Sequence, residues 1–305
     1  MYGSLSTIKL QCRKMNTSDK FNRFCSNIVI DSGTVSKISY RYKRITRQLN
    51  KDFWSKDCDK QNSLYVGSYG RDTDIHISDI DMLFQLPYTV YQRYNNYQLN
   101  GQSALLQAVK NSIEKTYRSS IKGDGQVVKV DFTDGICFEL VPCFSNQKES
   151  FIYPDANNGG KWKVTNPKPE IGAIRTVNQQ CNFNLKRLCR MARSWKDTWD
   201  VPIGGLLIDT LAHNFLKDWE HRDKSFTYYD WMTRDFFYYL KEQNKEQVYW
   251  YAPGSDQIIR RKGMFEYKAL RCYNVALEGV QCESSNLNWS ANQKWKEIYG
   301  SSFPS

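Results

Sequence analysis

The sequence predicts an α+β protein in which a half that contains the strands precedes a half built of helices. In the first half, short apolar runs alternate with polar residues around glycine-containing turns, as between residues 127 and 141. In the second half, apolar residues recur at helical spacing from about residue 182 to residue 277. With 305 residues, of which 40% are hydrophobic and 25% charged, the chain can form one two-lobed unit or two domains.

Three segments are predicted along the chain. Residues 1–33 have a mixed composition that assigns them no role. Residues 34–170 are predicted to form a core with a twisted mixed sheet flanked by helices. Residues 171–305 are predicted to form a helical lobe, with a cleft between it and the core.

Periodicity and capping signals locate the main helices. Helices are predicted at residues 34–52 and 101–117, with Ser103 as a candidate N-cap of the second. Residues 144–171 are rich in proline, glycine and polar residues, which predicts a loop-rich connection at the mouth of the cleft. Amphipathic helices are predicted in the helical lobe at residues 182–195, 206–219, 228–240 and 267–277.

The most informative motif is a turn at Gly67 and Ser68, followed closely by Gly70. Glycines permit positive φ angles and close approach of other atoms to the backbone. Successive N–H groups and the Ser68 hydroxyl can then point at phosphate oxygens. Gly67 and Ser68 are therefore predicted to bind the triphosphate of a nucleotide.

A strand that carries two carboxylates begins eleven residues after Ser68. Because side chains alternate along a strand, Asp79 and Asp81 share one face about 7 Å apart, and Ile80 and Met82 take the other. Neighbouring carboxylates on a half-buried strand repel each other, and a divalent cation relieves the repulsion. Oxygen ligands suit Mg²⁺, which completes its shell with water and nucleotide phosphates. Asp79 and Asp81 are therefore predicted to hold metal.

A third carboxylate is expected on a neighbouring strand. Residues 127–132 and 136–141 are predicted to form two strands joined by a short turn with glycine. Glu139 lies in the middle of the second strand among apolar residues, where a charge without compensation is costly. Asp131 is the rival third ligand, since it also interrupts an apolar alternation. Glu139 is the preferred candidate.

These motifs carry a family resemblance. Gly67-Ser68, then Asp79 and Asp81, then Glu139 in the setting Glu-Leu-Val-Pro-x-Phe occur in the order and at the separations found in polymerase-β-type nucleotidyltransferases. Within that superfamily the chain most resembles the bacterial cGAS/DncV-like nucleotidyltransferases (CD-NTases), relatives of animal oligoadenylate synthetases. The similarity extends from about residue 35 to about residue 280.

The resemblance implies an enzyme that joins nucleoside triphosphates, ATP among them, into a cyclic di- or trinucleotide or a short oligonucleotide. It also implies a role in anti-phage defence (CBASS), with the product acting on a separate effector and with a regulatory protein as a further partner. We hypothesise that Asp79, Asp81 and Glu139 hold two Mg²⁺ ions, or Mn²⁺ in their place. One ion would activate a ribose hydroxyl, and the other would hold the triphosphate of the donor.

Basic residues are candidates for further phosphate contacts. Arg71, directly after the turn, is either such a contact or a surface residue. Residues 188–196 resemble the family segment that lends a basic residue to the triphosphate, and Arg193 occupies that position. Arg190, Lys196 and Lys186 have similar claims, against the alternative that they line the wet side of a core helix.

Base recognition is predicted around residues 161–167. The ring of Trp162 offers a face for stacking, and Thr165 or Asn166 could contact a base edge, as the resemblance also implies. The alternative is that Trp162 is a core or rim aromatic and Asn166 a turn residue before proline. Asp72 and Asp74 are interpreted as loop charges.

Composition limits the remaining possibilities. The formal charge of +11 favours polyanionic partners, either nucleic acid or several nucleoside triphosphates. The nine cysteines form no Cys-x-x-Cys pair, so a structural zinc site is not expected, and reduced thiols suit a cytoplasmic protein. Neither a signal peptide nor an apolar run of membrane-spanning length is expected.

Two rival functions remain open at this point. One is another polymerase-β-type nucleotidyltransferase, which would tail RNA or modify protein. The other is a catalytically inactive scaffold that binds nucleotide or RNA. The presence of all three acidic positions together with Gly67 and Ser68 disfavours the scaffold.

Overall fold

The computed structural model describes residues 16–76, 79–147 and 149–305. Residues 1–15 of the predicted N-terminal segment, including Cys12, lie outside the described residues. The predicted fold class is confirmed, because a mixed sheet flanked by helices is followed by a helical lobe. The predicted division of the chain near residue 170 stays a prediction, and a helix, Pro167–Gln180, runs through that position.

One mixed sheet forms the first half of the molecule. Its strands are β1 (Ser63–Tyr65), β2 (Asp79–Gln85), β3 (Ser120–Asp124), β4 (Val127–Asp131), β5 (Cys137–Ser145), β6 (Phe151–Asp155) and β7 (Lys161–Thr165). The order across the sheet is β1-β2-β5-β4-β3, and β6 pairs with the end of β5 and with β7. Strands β2 and β5 are parallel, and the other pairs are antiparallel.

Helices cover one face of the sheet and build the second half. They are α1 (Thr17–Asn27), α2 (Ser32–Trp54), α3 (Gly67–Arg71), α4 (Tyr88–Asn95), α5 (Gly101–Glu114), α6 (Pro167–Gln180), α7 (Asn184–Thr198), α8 (Gly205–Asp218), α9 (Tyr229–Lys241), α10 (Glu266–Ser284) and α11 (Asn288–Tyr299). A small hairpin of β8 (Tyr249–Tyr251) and β9 (Ile258–Arg260) lies between α9 and α10. The helices predicted from periodicity are present as α2, α5, α7, α8, α9 and α10.

The apolar face of the sheet packs under α2 and α5. Ile80 and Phe84 of β2 and Phe138 of β5 are fully buried there, together with Ile38 of α2 and Leu105 of α5. Because neighbouring residues on a strand point to opposite faces, the odd-numbered residues of β2 and β5 face away from this core. The sheet therefore presents its polar face toward the helical lobe.

Helix α1 belongs to the core of the helical lobe. Phe21 and Phe24 are fully buried. The ring of Phe21 lies 5.4 Å from that of Trp295 and 5.1 Å from that of Phe303, between centroids. The second part of the predicted N-terminal segment thus closes the helical core against the chain's last residues.

Two local predictions are corrected by the structure. Asn100, and not Ser103, caps α5, since the Asn100 side chain accepts a hydrogen bond from the Ser103 N–H. The region predicted to be loop-rich, residues 144–171, contains the β6–β7 hairpin. A turn with two positive-φ glycines, Gly159 and Gly160, precedes β7, and this is the composition that favoured a loop.

Among the residues that the structure describes, no helix combines the length and the apolar character that a membrane crossing requires.

Candidate active site

The parallel pairing of β2 and β5 brings the predicted carboxylates together. Asp81 is the register partner of Glu139, and Asp79 is the partner of Cys137. Asp79, Asp81 and Glu139 therefore share the polar face of the sheet, opposite the buried side chains of Ile80 and Met82. Asp131 on β4 pairs with Cys137 of β5, so it lies two strands from Asp79. Glu139 is the third acid beside Asp81, as the sequence favoured.

The glycine turn packs directly against Asp81. Gly67 has a φ of +62°, and a Cβ atom at this position would lie 1.9 Å from Oδ2 of Asp81. Gly70 is also required, because a Cβ there would lie 2.4 Å from the carbonyl oxygen of Tyr65. The Val66 N–H donates to the Asp81 carbonyl at 3.0 Å, which fixes the turn to β2. Glycine at 67 thus allows the predicted phosphate turn and the carboxylates to meet.

A cavity of about 310 Å³ separates this face of the sheet from the helical lobe. Its sheet side is lined by Ser68, Asp74, Asp79, Asp81 and Glu139, and its helical side by Arg193, Lys196, Asp197 and Gly205. Ile75 and His76 lie at the junction of the two sides. The structure thus brings Ser68, the three carboxylates, Arg193 and Lys196 to one cavity.

The electrostatics of the cavity are dominated by its acids. Burial and, after it, the charges of Glu139 and Asp79 together raise the pKa of Asp81 to about 6, against the opposing charge of Arg71. Burial also raises the pKa of Asp74. Lys129 of β4 lies 3.0 Å from Oε1 of Glu139, between Nζ and the oxygen. As placed in the described part of the chain, no three Asp, Glu, His or Cys side chains form a ready metal site.

Arg71 neither lines the cavity nor lies on the surface, so the structure departs from both sequence interpretations, a phosphate contact and a surface residue. Its side chain is buried, and its Nε donates to Oδ2 of Asp209 at 2.9 Å. The hydroxyl of Thr73 donates to the same oxygen at 3.0 Å, and Nη1 of Arg71 lies 3.9 Å from Oε2 of Glu170. Because a buried guanidinium needs a compensating acid, Arg71 is engaged in packing α3 against α8.

Arg193 lines the cavity, but it also binds Asp209, the acid that binds Arg71. Its Nη1 donates to Oδ1 of Asp209 at 2.5 Å, and its Nη2 donates to Oδ2 at 2.9 Å and to the Gly205 carbonyl at 3.1 Å. Burial opposes ionisation of Asp209, yet the charges of Arg193 and Arg71 hold its pKa below the usual value. We call Arg71, Thr73, Glu170, Arg193 and Asp209 the Asp209 cluster. It joins the turn helix α3 to helices α6, α7 and α8.

The other basic candidates on α7 separate into two groups. Lys196 lines the cavity, where its Nζ lies 3.3 Å from Oδ1 of Asp197. Oδ2 of Asp197 lies 2.7 Å from Nε2 of His76. Lys186 and Arg190 instead bind the Asp72 carboxylate, so they fasten the loop after α3 to the helical lobe.

The predicted base-recognition residues lie elsewhere. Trp162 packs in the apolar layer under the helices, with its ring 5.0 Å from that of Tyr91 and 5.7 Å from that of Phe144, and its Nε1 donates to Asn95. That layer is on the face of the sheet opposite the carboxylates, so a stacking role for Trp162 in this cavity is corrected to a role in packing. Thr165 ends β7, and Asn166 is the N-cap residue of α6, although its side chain makes no capping hydrogen bond. Neither of them lines the cavity.

Sequence reasoning missed the Asp209 cluster and Lys129. Asp209 lies in the apolar run Leu-Leu-Ile-Asp-Thr-Leu, and a single acid in such a run signals a buried partner. Lys129 has the same strand parity as Asp131 in β4, which already placed it on the polar face. His76 and Asp74 carried no comparable signal.

The chain is similar to known proteins in both sequence and fold. A sequence profile described as "Second Messenger Oligonucleotide or Dinucleotide Synthetase domain" (SMODS) matches residues 15–178. A probable cyclic nucleotide synthase of Bacillus cereus (strain VD146) is 24% identical over an alignment of 182 residues, and the alignment covers 55% of this chain and 52% of that protein. The match thus spans about half the length of this curated relative.

Solved structures of the same fold include three bacterial proteins. CdnC of E. coli MS115-1, solved in a complex with HORMA-deltaN, has a TM-score of 0.70 at 13% identity and covers 95% of this chain and 98% of that one. CdnG of Bradyrhizobium diazoefficiens, solved with GTP, has a TM-score of 0.65 at 10% identity, covering 94% and 95%. Escherichia coli DncV, solved with 3'-deoxy GTP, has a TM-score of 0.64 at 12% identity, covering 93% and 97%.

The profile covers more than half of the 305 residues and includes Gly67, Ser68 and the three carboxylates. The resemblance to CD-NTases read from the sequence is confirmed. The chain belongs to the family of second messenger oligonucleotide or dinucleotide synthetase domains.

Proposed function

We propose that this chain is a nucleotidyltransferase that condenses nucleoside triphosphates, ATP among them, into a cyclic di- or trinucleotide or a short oligonucleotide. The observation that carries the proposal is the close approach of Gly67 to Asp81, next to the cavity that Ser68, Asp81 and Glu139 line together. A turn suited to a triphosphate and a group of acids suited to cations meet there. Family membership supports the same reaction.

The donor set fits divalent cations. Hard carboxylate oxygens are the ligands that Mg²⁺ and Mn²⁺ prefer. Burial, followed by the charges of Glu139 and Asp79, raises the pKa of Asp81, and a bound cation would offset both effects by favouring the ionised carboxylate. Asp79, Asp81 and Glu139 would hold two such ions, which would supply charge neutralisation at the triphosphate and at the attacking and leaving oxygens.

The side chains of the chain position the two nucleotides. Ser68 and the backbone of the turn would donate hydrogen bonds to the β- and γ-phosphates of the donor, and Lys196 would add positive charge from the opposite wall. A ribose hydroxyl of the acceptor then attacks the α-phosphorus. The new P–O bond forms as the bond to the β-phosphate oxygen breaks, pyrophosphate leaves, and the proton of the hydroxyl passes to water. Arg193 would line the site while Asp209 fixes its position.

The biological setting belongs to the same proposal. We place the enzyme in the cytoplasm in anti-phage defence, where its product would act on a separate effector. The relative CdnC was solved with HORMA-deltaN, which supports a regulatory protein as a partner of this chain too.

Product analysis tests the proposal. The purified protein is incubated with each radiolabelled nucleoside triphosphate and Mg²⁺, treated with phosphatase, and its products are resolved by mass. We expect small phosphatase-resistant nucleotides from the wild type and none from Asp81→Asn. Asp131→Asn is the matched control, because Asp131 lies on the same sheet face and does not line the cavity. Label found only in RNA or protein would contradict the proposal and favour a tailing or protein-modifying enzyme.

A further inference from the structure

A row of four charged residues crosses the polar face of the sheet. Lys122 of β3 pairs with Lys129 of β4, Lys129 pairs with Glu139 of β5, and Glu139 pairs with Asp81 of β2. Two lysines are therefore followed, strand by strand, by two of the proposed metal ligands. Register partners in a sheet lie about 5 Å apart, so each member of the row feels the charge of the next.

Lys129 is in contact with two acids. Its Nζ lies 3.0 Å from Oε1 of Glu139 and 3.2 Å from Oδ2 of Asp124, which ends β3. The Lys129 side chain is an ammonium group at neutral pH, and the hydrogen bonds and charges of Glu139 and Asp124 raise its pKa above the usual value.

We propose that Lys129 is an internal counter-ion. Its ammonium group pairs with the Glu139 carboxylate until a divalent cation binds there, and it then pairs with Asp124 alone. The inference rests on the proposed function, because it takes Glu139 as a metal ligand. Lys129 is a positioning residue, since it acts through Glu139.

Two features lower the free energy needed for Lys129 to leave Glu139. Lys129 keeps an acidic partner throughout, because it is already within reach of Asp124. The side chains of Lys129 and Glu139 are 36% and 25% exposed, so water screens their attraction. An exposed ion pair is weak compared with a carboxylate–cation bond, and a metal can displace it.

Direct binding of Mn²⁺ to the intact protein without nucleotide tests the proposal, with free Mn²⁺ measured by electron paramagnetic resonance. Lys129→Met should tighten binding about two- to fivefold, the amount that a half-exposed ion pair is worth. Asp124→Asn should weaken binding by a similar factor. Lys122→Met is the matched control, because it removes the same charge one strand further from Glu139.

A double-mutant cycle separates this exchange from simple electrostatics. Without Lys129, Asp124 has no ammonium group to receive, so Asp124→Asn should have little effect in the Lys129→Met background. Effects that add in the double variant, or equal effects of Lys122→Met and Lys129→Met, would overturn the inference. Thermal melting of each variant confirms that it is folded.

The same titrations distinguish the two proposals. If Asp81→Asn leaves Mn²⁺ binding unchanged, the metal is not at these carboxylates, and both proposals fail. If Asp81→Asn abolishes binding but Lys129→Met matches the wild type, only the counter-ion inference fails.

Discussion

Two neighbouring groups of charged side chains, the Asp209 cluster and the acids that line the cavity, differ in how their charges are balanced. In the Asp209 cluster, one fully buried carboxylate receives hydrogen bonds from Arg71, Thr73 and Arg193. Among the described residues that line the cavity, acids outnumber the two bases Arg193 and Lys196, and the acids are Asp74, Asp79, Asp81, Glu139 and Asp197.

The difference separates structural charge from functional charge. A buried ion pair must be complete, because an uncompensated charge in the interior costs several kcal/mol. A cavity that keeps an excess of one sign is suited to a ligand of the other sign. By this criterion Arg71, which followed the turn in sequence, belongs to the structure, whereas Asp79 and Asp81 belong to the site.

The largest expected effect comes from substituting the acids that line the cavity. Combined Asp79→Asn and Asp81→Asn should lower the rate of product formation by about 10³-fold or more, since cation binding supplies several kcal/mol of transition-state stabilisation. The melting temperature should stay constant or rise, because the substitutions remove repulsion between neighbouring acids. Rate assays and thermal melting measure the two effects. A double variant that unfolds, or one that keeps its rate, would contradict this division between structure and site.

Substitution in the Asp209 cluster should instead lower the stability of the fold. Asp209→Asn leaves two buried guanidiniums without a full counter-charge and should cost about 3–5 kcal/mol of unfolding free energy. Denaturant unfolding measures the loss. Asp218→Asn on the same helix is the control and should change stability by less than about 0.5 kcal/mol, because Asp218 is exposed. Equal stability of the two variants would show that the Asp209 cluster is not structural.

Two basic residues of α7 sharpen the comparison, since both line the cavity. Lys196→Ala should raise the KM for nucleoside triphosphate about five- to tenfold with little loss of stability, because Lys196 is half-exposed and would contact phosphate. Arg193→Lys should mainly lower stability, because lysine cannot reproduce the two-pronged contact with Asp209. Steady-state kinetics and melting curves separate the two effects. A KM unchanged by Lys196→Ala would remove this residue from the site.

A third acidic group differs from both of these, because it can bind a proton, and its expected effect on stability is the smallest. In the helical lobe, the carboxyl groups of Asp230 and Glu283 interact with each other, and the Trp295 Nε1 donates to Glu283 at 2.6 Å. Burial raises the pKa of Glu283 from its ordinary value of 4.5 to about 7, with the charge of Asp230 acting in the same direction and the Trp295 hydrogen bond opposing it. A pKa near 7 lets Glu283 take up a proton near neutral pH, whereas the cavity acids are proposed to bind a cation.

The sign of its pH dependence follows from the raised pKa. The folded protein binds this proton more tightly than the unfolded chain, so the contribution to stability is complete below about pH 4.5 and is lost as the pH rises through about 7. Melting temperatures between pH 5 and pH 8 should therefore fall less steeply in Glu283→Gln than in the wild type. Parallel curves for the two proteins would show that Glu283 does not titrate in this range.

The sequence predicted what depends on local pattern. Alternation along β2 placed Asp79 and Asp81 on one face, and helical spacing located α7 and α8 within a few residues. The partner of Arg71 was hidden, because Asp209 lies 138 residues away and only the packing of the two halves brings them together. Trp162 was misplaced for a related reason. Alternation in β7 gives two faces but does not say which one the sheet turns toward the helices.

The account's central claim is that the negative charge on the open face of the sheet holds divalent cations. Anomalous scattering from a crystal grown with Mn²⁺ and a non-hydrolysable nucleoside triphosphate tests it most directly. The account predicts Mn²⁺ peaks among the carboxylates of Asp79, Asp81 and Glu139, with Lys129 turned to Asp124. A nucleotide bound in this cavity with no Mn²⁺ beside Asp79 and Asp81 would contradict it.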